Sequence, residues 1–135
     1  MKNLITRVGN HEVVKEGDFR YVVKRDESKG MMVPVTIYAD DSLISKMALD
    51  RTIDQAANVA TLKGVVKHVV VLPDGHEGYG FPVGGVAGMD LEEGVISPGG
   101  VGYEINCGER LRRTNFRENE VRPNLKHLVN ELFNA

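Results

Sequence analysis

The chain has 135 residues, with 17 Lys and Arg against 19 Asp and Glu for a net charge of −2, and a single cysteine. The length fits one globular domain of about 100–200 residues, and the near-neutral total gives no whole-chain case for nucleic-acid binding. One thiol excludes an internal disulfide and favours a reducing, cytoplasmic setting, the opening residues lack the features of a signal peptide, and no stretch reaches the roughly 18 apolar residues of a membrane span.

In chain order, His11–Val14 and Phe19–Lys24 are short β-prone runs around Lys15-Glu16-Gly17-Asp18, a pattern that predicts a hairpin. Asp26–Gly30 reads as a charged turn, and Met31–Ala39 as a strand that Pro34 pushes toward an edge or a strand start. Asp40-Asp41-Ser42 offers capping side chains to a helix carrying Leu43, Ile44, Met47 and Ala48 at helical spacing. Asp50 or Thr52 caps a second helix, whose Ile53, Ala56, Ala57 and Ala60 repeat up to Leu62, with Gly64 as punctuation. Val65–Leu72 is nearly continuous β-branched sequence, as in a strand buried on both faces.

Beyond Pro73 the composition changes. Eleven of the 15 glycines fall between Gly75 and Gly108, and from His68 to Glu109 there is no Lys or Arg but seven acids, so the near-neutral total conceals an acidic, glycine-rich segment in a basic frame. Its glycines are interleaved with Val, Ile, Phe, Tyr and Pro, unlike a flexible tether. Gly84–Ala87 and Gly94–Ile96 read as short strands. From Pro123 a helix is expected, with Leu125, Leu128, Val129, Leu132 and Phe133 on one face, suited either to docking on another element or to packing on its own domain.

Three groups of residues in and around this segment suggest chemistry. Cys107 follows Glu104 by three residues, with Asn106 between them, inside a glycine-flanked loop. A thiolate and a carboxylate so spaced can both reach one divalent ion. A free cysteine is also commonly a small buried hydrophobe, and a nucleophile served by His76 or His68 as base is a third reading. Asp74 and His76 stand where a buried strand opens into a glycine-rich loop, a position at which α/β proteins place function, although Pro73-Asp74-Gly75 is also good turn chemistry by itself. The basic residues Arg110, Arg112, Arg113, Arg117, Arg122 and Lys126 could meet RNA phosphates or form a solvated face balanced by Glu109, Glu118 and Glu120. Neither a Walker-type loop nor a dinucleotide fingerprint is present in the glycine-rich segment.

Residues 71–88 (VLPDGHEGYGFPVGGVAG) and 92–108 (EEGVISPGGVGYEINCG) closely resemble the RtcB family of RNA-splicing ligases, as do Asp54–Leu62 upstream and Arg122–Lys126 downstream. The resemblance implies the N-terminal portion of that fold, a mixed α/β or α+β arrangement with a few helices and long glycine-rich loops. It also implies joining of RNA 2′,3′-cyclic phosphate or 3′-phosphate ends to 5′-hydroxyl ends, with Mn²⁺ and GTP, through a guanylated histidine.

Residue by residue, the resemblance places metal ligands at Glu104 and Cys107 and catalytic roles at Asp74 and His76, with Ser97 and Asn106 orienting their neighbours. RNA, the remainder of the ligase polypeptide and an archease-type activator are the partners it implies, with no membrane. Glu104 departs from the family's aspartate and reaches one methylene further. Of the four histidines, His11, His68, His76 and His127, only His76 falls on a family motif. The guanylated histidine, the remaining metal-binding histidines and the GTP pocket belong to family positions downstream of residue 135. The expected layout is a single N-terminal segment: a strand-rich entry over 1–39, helices over 40–64, active-site loops over 65–110 and a docking helix over 123–135. A non-catalytic RtcB-like binding module, one half of a split ligase and a Cys107-dependent hydrolase are the competing readings.

Overall fold

The structure, a computed structural model, describes residues 5–102 and 113–134. The chain divides into two compact units, Met1–Ile105 and Asn106–Ala135.

The first unit is built on a six-stranded sheet in sequential order: β1 (Ile5–Val8), β2 (His11–Lys15), β3 (Arg20–Val23), β4 (Val35–Tyr38), β5 (Val65–His76) and β6 (Val83–Met89). Neighbours are antiparallel except the β4–β5 pair, which is parallel. A parallel pair needs a crossover, and here the crossover supplies helices α1 (Asp41–Met47) and α2 (Thr52–Val59). The predicted hairpin is present, with Val13 opposite Val23 and Lys15 opposite Tyr21. The charged turn after β3 is one 3-10 turn, Glu27–Lys29, capped by Asp26.

The core lies on one face of this sheet. Registers align Val13, Val23, Val35, Val69 and Ala87 as a single row across five strands. A neighbouring row runs Tyr21, Ile37, Val71, Gly85. Onto these rows packs α2, whose Ile53, Ala56 and Ala57 are buried together with Ala60 at its C-cap. Three small alanines let the helix approach closely, and burying each larger aliphatic chain contributes roughly 1.5–3 kcal/mol. Asp40 caps α1 by accepting the Leu43 N–H at 2.8 Å, as the capping pattern predicted.

Several expectations need correction. Pro34 stands just before β4, so the strand starts there, and β4 is an interior strand rather than an edge. The doubly buried strand is β4, whose Val35, Thr36 and Ile37 are all buried, and not β5, which exposes Val66 and Leu72. The reason lies in the neighbours. Valine-rich strands flank β4, whereas β5 borders β6, whose glycines carry no side chains to cover it. Strand β5 also runs past Leu72 to His76. Helix α2 ends at Val59, three residues before Leu62, in a turn that reaches Gly64. Gly84–Ala87 lies within the longer β6, but Gly94–Ile96 forms no strand. A four-residue turn of helix, α3 (Pro98–Val101), follows instead.

In the second unit, α4 (Glu118–Val121) leads through a 3-10 turn at Arg122–Asn124 into α5 (Leu125–Asn134). The helix expected from Pro123 therefore becomes regular only at Leu125. Its Leu125, Leu128, Val129, Leu132 and Phe133 recur at helical spacing and are all exposed. Arg122 pairs with Glu118 one turn earlier, as expected of a solvated charged face.

Candidate active-site segment

The segment that could carry chemistry begins at the second of two register shifts in the β5–β6 ladder, the first lying between Val66 and Val69. The β5–β6 ladder runs through Val71 opposite Gly85, shifts register, and resumes only at His76 opposite Val83. Residues 72–75 bulge out between these rungs, as bulges beside functional sites commonly do. Asp74 is in the bulge and exposed, and His76 is exposed on the last rung.

Two contacts set their geometry. The Nδ1 atom of His76 lies 2.8 Å from the backbone carbonyl of Asp74. A carbonyl only accepts, so Nδ1 carries the proton and Nε2 keeps its lone pair for a proton, a metal ion or an electrophile. The two residues are thus coupled through the Asp74 backbone, not through its carboxylate. The Asp74 carboxylate lies against Gly84, which has φ of +71°, and a Cβ at Gly84 would sit 2.7 Å from Asp74 Oδ1. Glycine is required there both for the backbone conformation and for the space that Asp74 occupies.

Pattern reasoning missed the support on which this segment rests, which comes from α2 and the turn just before it. Gln55, 3% exposed, donates from Nε2 to the Gly78 carbonyl and accepts the Gly78 N–H at Oε1, both at 2.9 Å. Asp50 accepts the Glu77 N–H at 3.0 Å through Oδ2, and the Thr52 N–H at 2.8 Å through Oδ1. The Glu77 carboxylate in turn accepts the Arg51 N–H at 3.3 Å. Burial alone would raise the Asp50 pKa, but the hydrogen bonds from Thr52 and Glu77 and the nearby charge of His76 outweigh it and hold the carboxyl below its usual range. Asp50 had signalled itself only as a helix cap.

Past Gly78 the chain turns tightly. Phe81 packs partly into the core, and its ring faces Gly85 and Gly100. A cleft of about 210 Å³ opens beside it, lined by Asn58, Leu62, Tyr79, Phe81, Ser97 and Gly99. Ser97 immediately precedes α3 and makes no capping bond. The predicted metal ligands Glu104 and Cys107, together with Asn106, Arg110 and Arg112, lie outside the described residues. Among the described residues no cluster of three metal-ligating side chains forms. Of the other histidines, His11 is buried in β2, with Nε2 3.2 Å from Asp54, and His127 lies 3.9 Å from Glu131 on α5.

A mixed α/β sheet thus ends one interior strand in a bulge carrying Asp74, followed by His76 on the last rung, a strand-end position at which α/β proteins commonly place functional residues. The family is given by comparison: a profile described as tRNA-splicing ligase RtcB matches residues 55–135, and the chain belongs to the RtcB family. It is 65% identical over 105 residues to the tRNA-splicing ligase RtcB of Thermococcus kodakarensis, covering 78% of this chain and 22% of that protein. With the tRNA-splicing ligase RtcB of Aeropyrum pernix it shares 60% identity over 115 residues, 84% of this chain and 24% of the relative. With that of Pyrobaculum aerophilum the figure is 51% over 124 residues, 92% of this chain and 26% of the relative. The chain spans about a quarter of the length of these relatives.

Proposed function

We propose that this chain supplies part of the active site of an RNA ligase that joins 2′,3′-cyclic phosphate or 3′-phosphate ends to 5′-hydroxyl ends in tRNA splicing or RNA repair. The observation that carries this reading is the family match across residues 55–135, which contains Asp74, His76, Glu104 and Cys107 together. A carboxylate and a thiolate form a donor set suited to a borderline divalent cation such as Mn²⁺, and two donors are too few to close a site by themselves. Bound there, Mn²⁺ would neutralise phosphate charge during in-line transfer.

The chain's own residues have separate tasks on this reading. Asp74, exposed and free of hydrogen bonds to the other described side chains, accepts the proton of the attacking 5′-hydroxyl. His76 presents Nε2 outward because Nδ1 is held by the Asp74 carbonyl. Cys107 acts as thiolate, the form that a neighbouring cation favours. GTP, an archease-type activator and a cytoplasmic setting go with the same reading. The guanylated histidine and the GTP pocket are assigned to the part of the relatives that this chain does not span, so the chain alone is expected to form no guanylate adduct. Among the described residues no helix is long and apolar enough to cross a membrane.

The test is Mn²⁺ titration by calorimetry of the ligase reconstituted from this chain and the remainder of the polypeptide, with and without Cys107→Ser. Binding by the parent enzyme that weakens at least tenfold in the variant supports the ligand role; equal affinity overturns it. Radiolabel transfer from GTP onto the isolated chain would overturn the division of labour.

A further inference from the structure

We infer that Gln55 and Asp50 are positioning residues: Gln55 from α2 and Asp50 from the turn before it form a clasp that sets the orientation of His76 at the end of β5. The inference deepens the ligase reading and rests on it for the importance of His76. The clasp itself is a matter of geometry.

Four features separate this clasp from ordinary loop packing. The sheet does not hold the segment, because the ladder is out of register from Val71 to His76 and only the His76–Val83 rung precedes the turn. The clasp engages immediately after that rung, at Glu77 and Gly78, from a helix and its preceding turn more than 20 residues earlier in the chain. It is two-pointed at Gly78, since Gln55 uses its donor and its acceptor on the same residue and thereby restricts rotation as well as distance. The residue that it grips is also confined to glycine, because a Cβ at Gly78 would collide with the Phe81 carbonyl.

An apolar residue at position 55 would bury as well and would spare the desolvation of an amide. A polar side chain 3% exposed, with both functional atoms committed to a loop that bears a candidate catalytic histidine, is better explained by orientation than by burial. Asp50 supplies the second arm. Its own rotamer is held by the Thr52 N–H and hydroxyl, so its free oxygen meets the Glu77 N–H as a fixed acceptor. With residues 77 and 78 fixed, the His76 ring keeps its Nδ1–H on the Asp74 carbonyl and its Nε2 outward.

The experiment is NMR of the ¹⁵N-labelled full chain near pH 8, where ordinary imidazoles are neutral. The parent chain is expected to show His76 in the Nδ1–H form and a protected Gly78 amide. Gln55→Met keeps length and apolar bulk but removes both arms of the pair. It should speed Gly78 amide exchange about tenfold or more and release His76 into the mixed tautomers of an unconstrained ring. Asp50→Asn, which leaves the Gln55 pair intact, should shift the His76 tautomer in the same direction by less. It carries the test if far-UV dichroism shows Gln55→Met unfolded. Faster Gly78 exchange with an unchanged His76 tautomer would mean that the clasp holds the loop but does not position the histidine, and would overturn the inference. So would Gly78 exchange unaltered in a folded Gln55→Met chain. Neither readout needs RNA, GTP or metal, so failure of the ligase reading leaves them unchanged, and failure of the clasp leaves the Mn²⁺ titration unchanged.

Discussion

Two stretches of the first unit, both belonging to one sheet, are held together by different physics. From Val13 to Val71 the strands carry β-branched side chains that bury in rows, and α2 with its C-cap seals them through Ile53, Ala56, Ala57 and Ala60. From Pro73 to Val101 the chain buries little. Val83, Val86, Leu91 and Ile96 are exposed, and the conformation depends on positive-φ glycines, on Phe81 as an anchor and on hydrogen bonds from α2 and the turn just before it. The first stretch is a scaffold whose shape follows from burial. The second keeps its polar groups in solvent, where a phosphate ester could reach them, and takes its order from the first. The lesson is that the candidate site borrows its rigidity, with α2 as the lender on both sides.

The largest expected effect comes from removing that shared element's packing. Ile53→Ala, at a side chain only 1% exposed, should destabilise the chain by about 2–5 kcal/mol. Val86→Ala on exposed β6 should cost well under half as much in the same denaturant titration. Similar losses at the two positions would erase the distinction between the regions.

Gly84→Ala comes next. The φ of +71° imposes roughly 1–2 kcal/mol on any residue with a Cβ, and the new methyl must also displace the Asp74 carboxylate. Denaturation should show the loss, and the Asp74 carboxyl ¹³C resonance should move. An unmoved resonance would mean that Gly84 serves the backbone alone.

The smallest effect concerns pH. Burial, reinforced by the charge of Lys29, pushes His11 below its ordinary value of 6.5 and outweighs the attraction of Asp54. The unfolded chain then binds the proton more readily than the folded one, so stability is full above about pH 6.5 and declines as pH falls below it. Asp50, held below its usual range, works in the same direction in a separate, more acidic window. Comparison of thermal midpoints at pH 7.5 and 5.5 should show a decline in the parent chain that His11→Gln flattens. A slope unchanged by the substitution would remove His11 from the account.

Much of this was readable in advance, for identifiable reasons. The β2–β3 hairpin, the Asp40 cap and the apolar stripe of α2 are local patterns, decided by residues a few positions apart, and they survive folding unchanged. Asp74 and His76 could be placed at a strand end because the shift from β-branched residues to glycine is itself local. Burial on the second face of β5 could not be read, since it depends on β6 lying alongside, and the strand-like Gly94–Ile96 finds no partner strand among the described residues. The support from Asp50 and Gln55 was also hidden, because it spans 27 and 23 residues of sequence and nothing in the spacing of a helix tells which loop its polar side chains will meet.

By itself, then, the sequence determined the β2–β3 hairpin, the two crossover helices, the acidic glycine-rich segment and the family, all of which rest on short-range patterns or on a long motif. Tertiary structure decided which strand is doubly buried, which nitrogen of His76 faces outward and which side chains hold the loop at Glu77 and Gly78. Those outcomes depend on what packs against what, and burial and hydrogen-bond partners exist only once distant segments have been brought together.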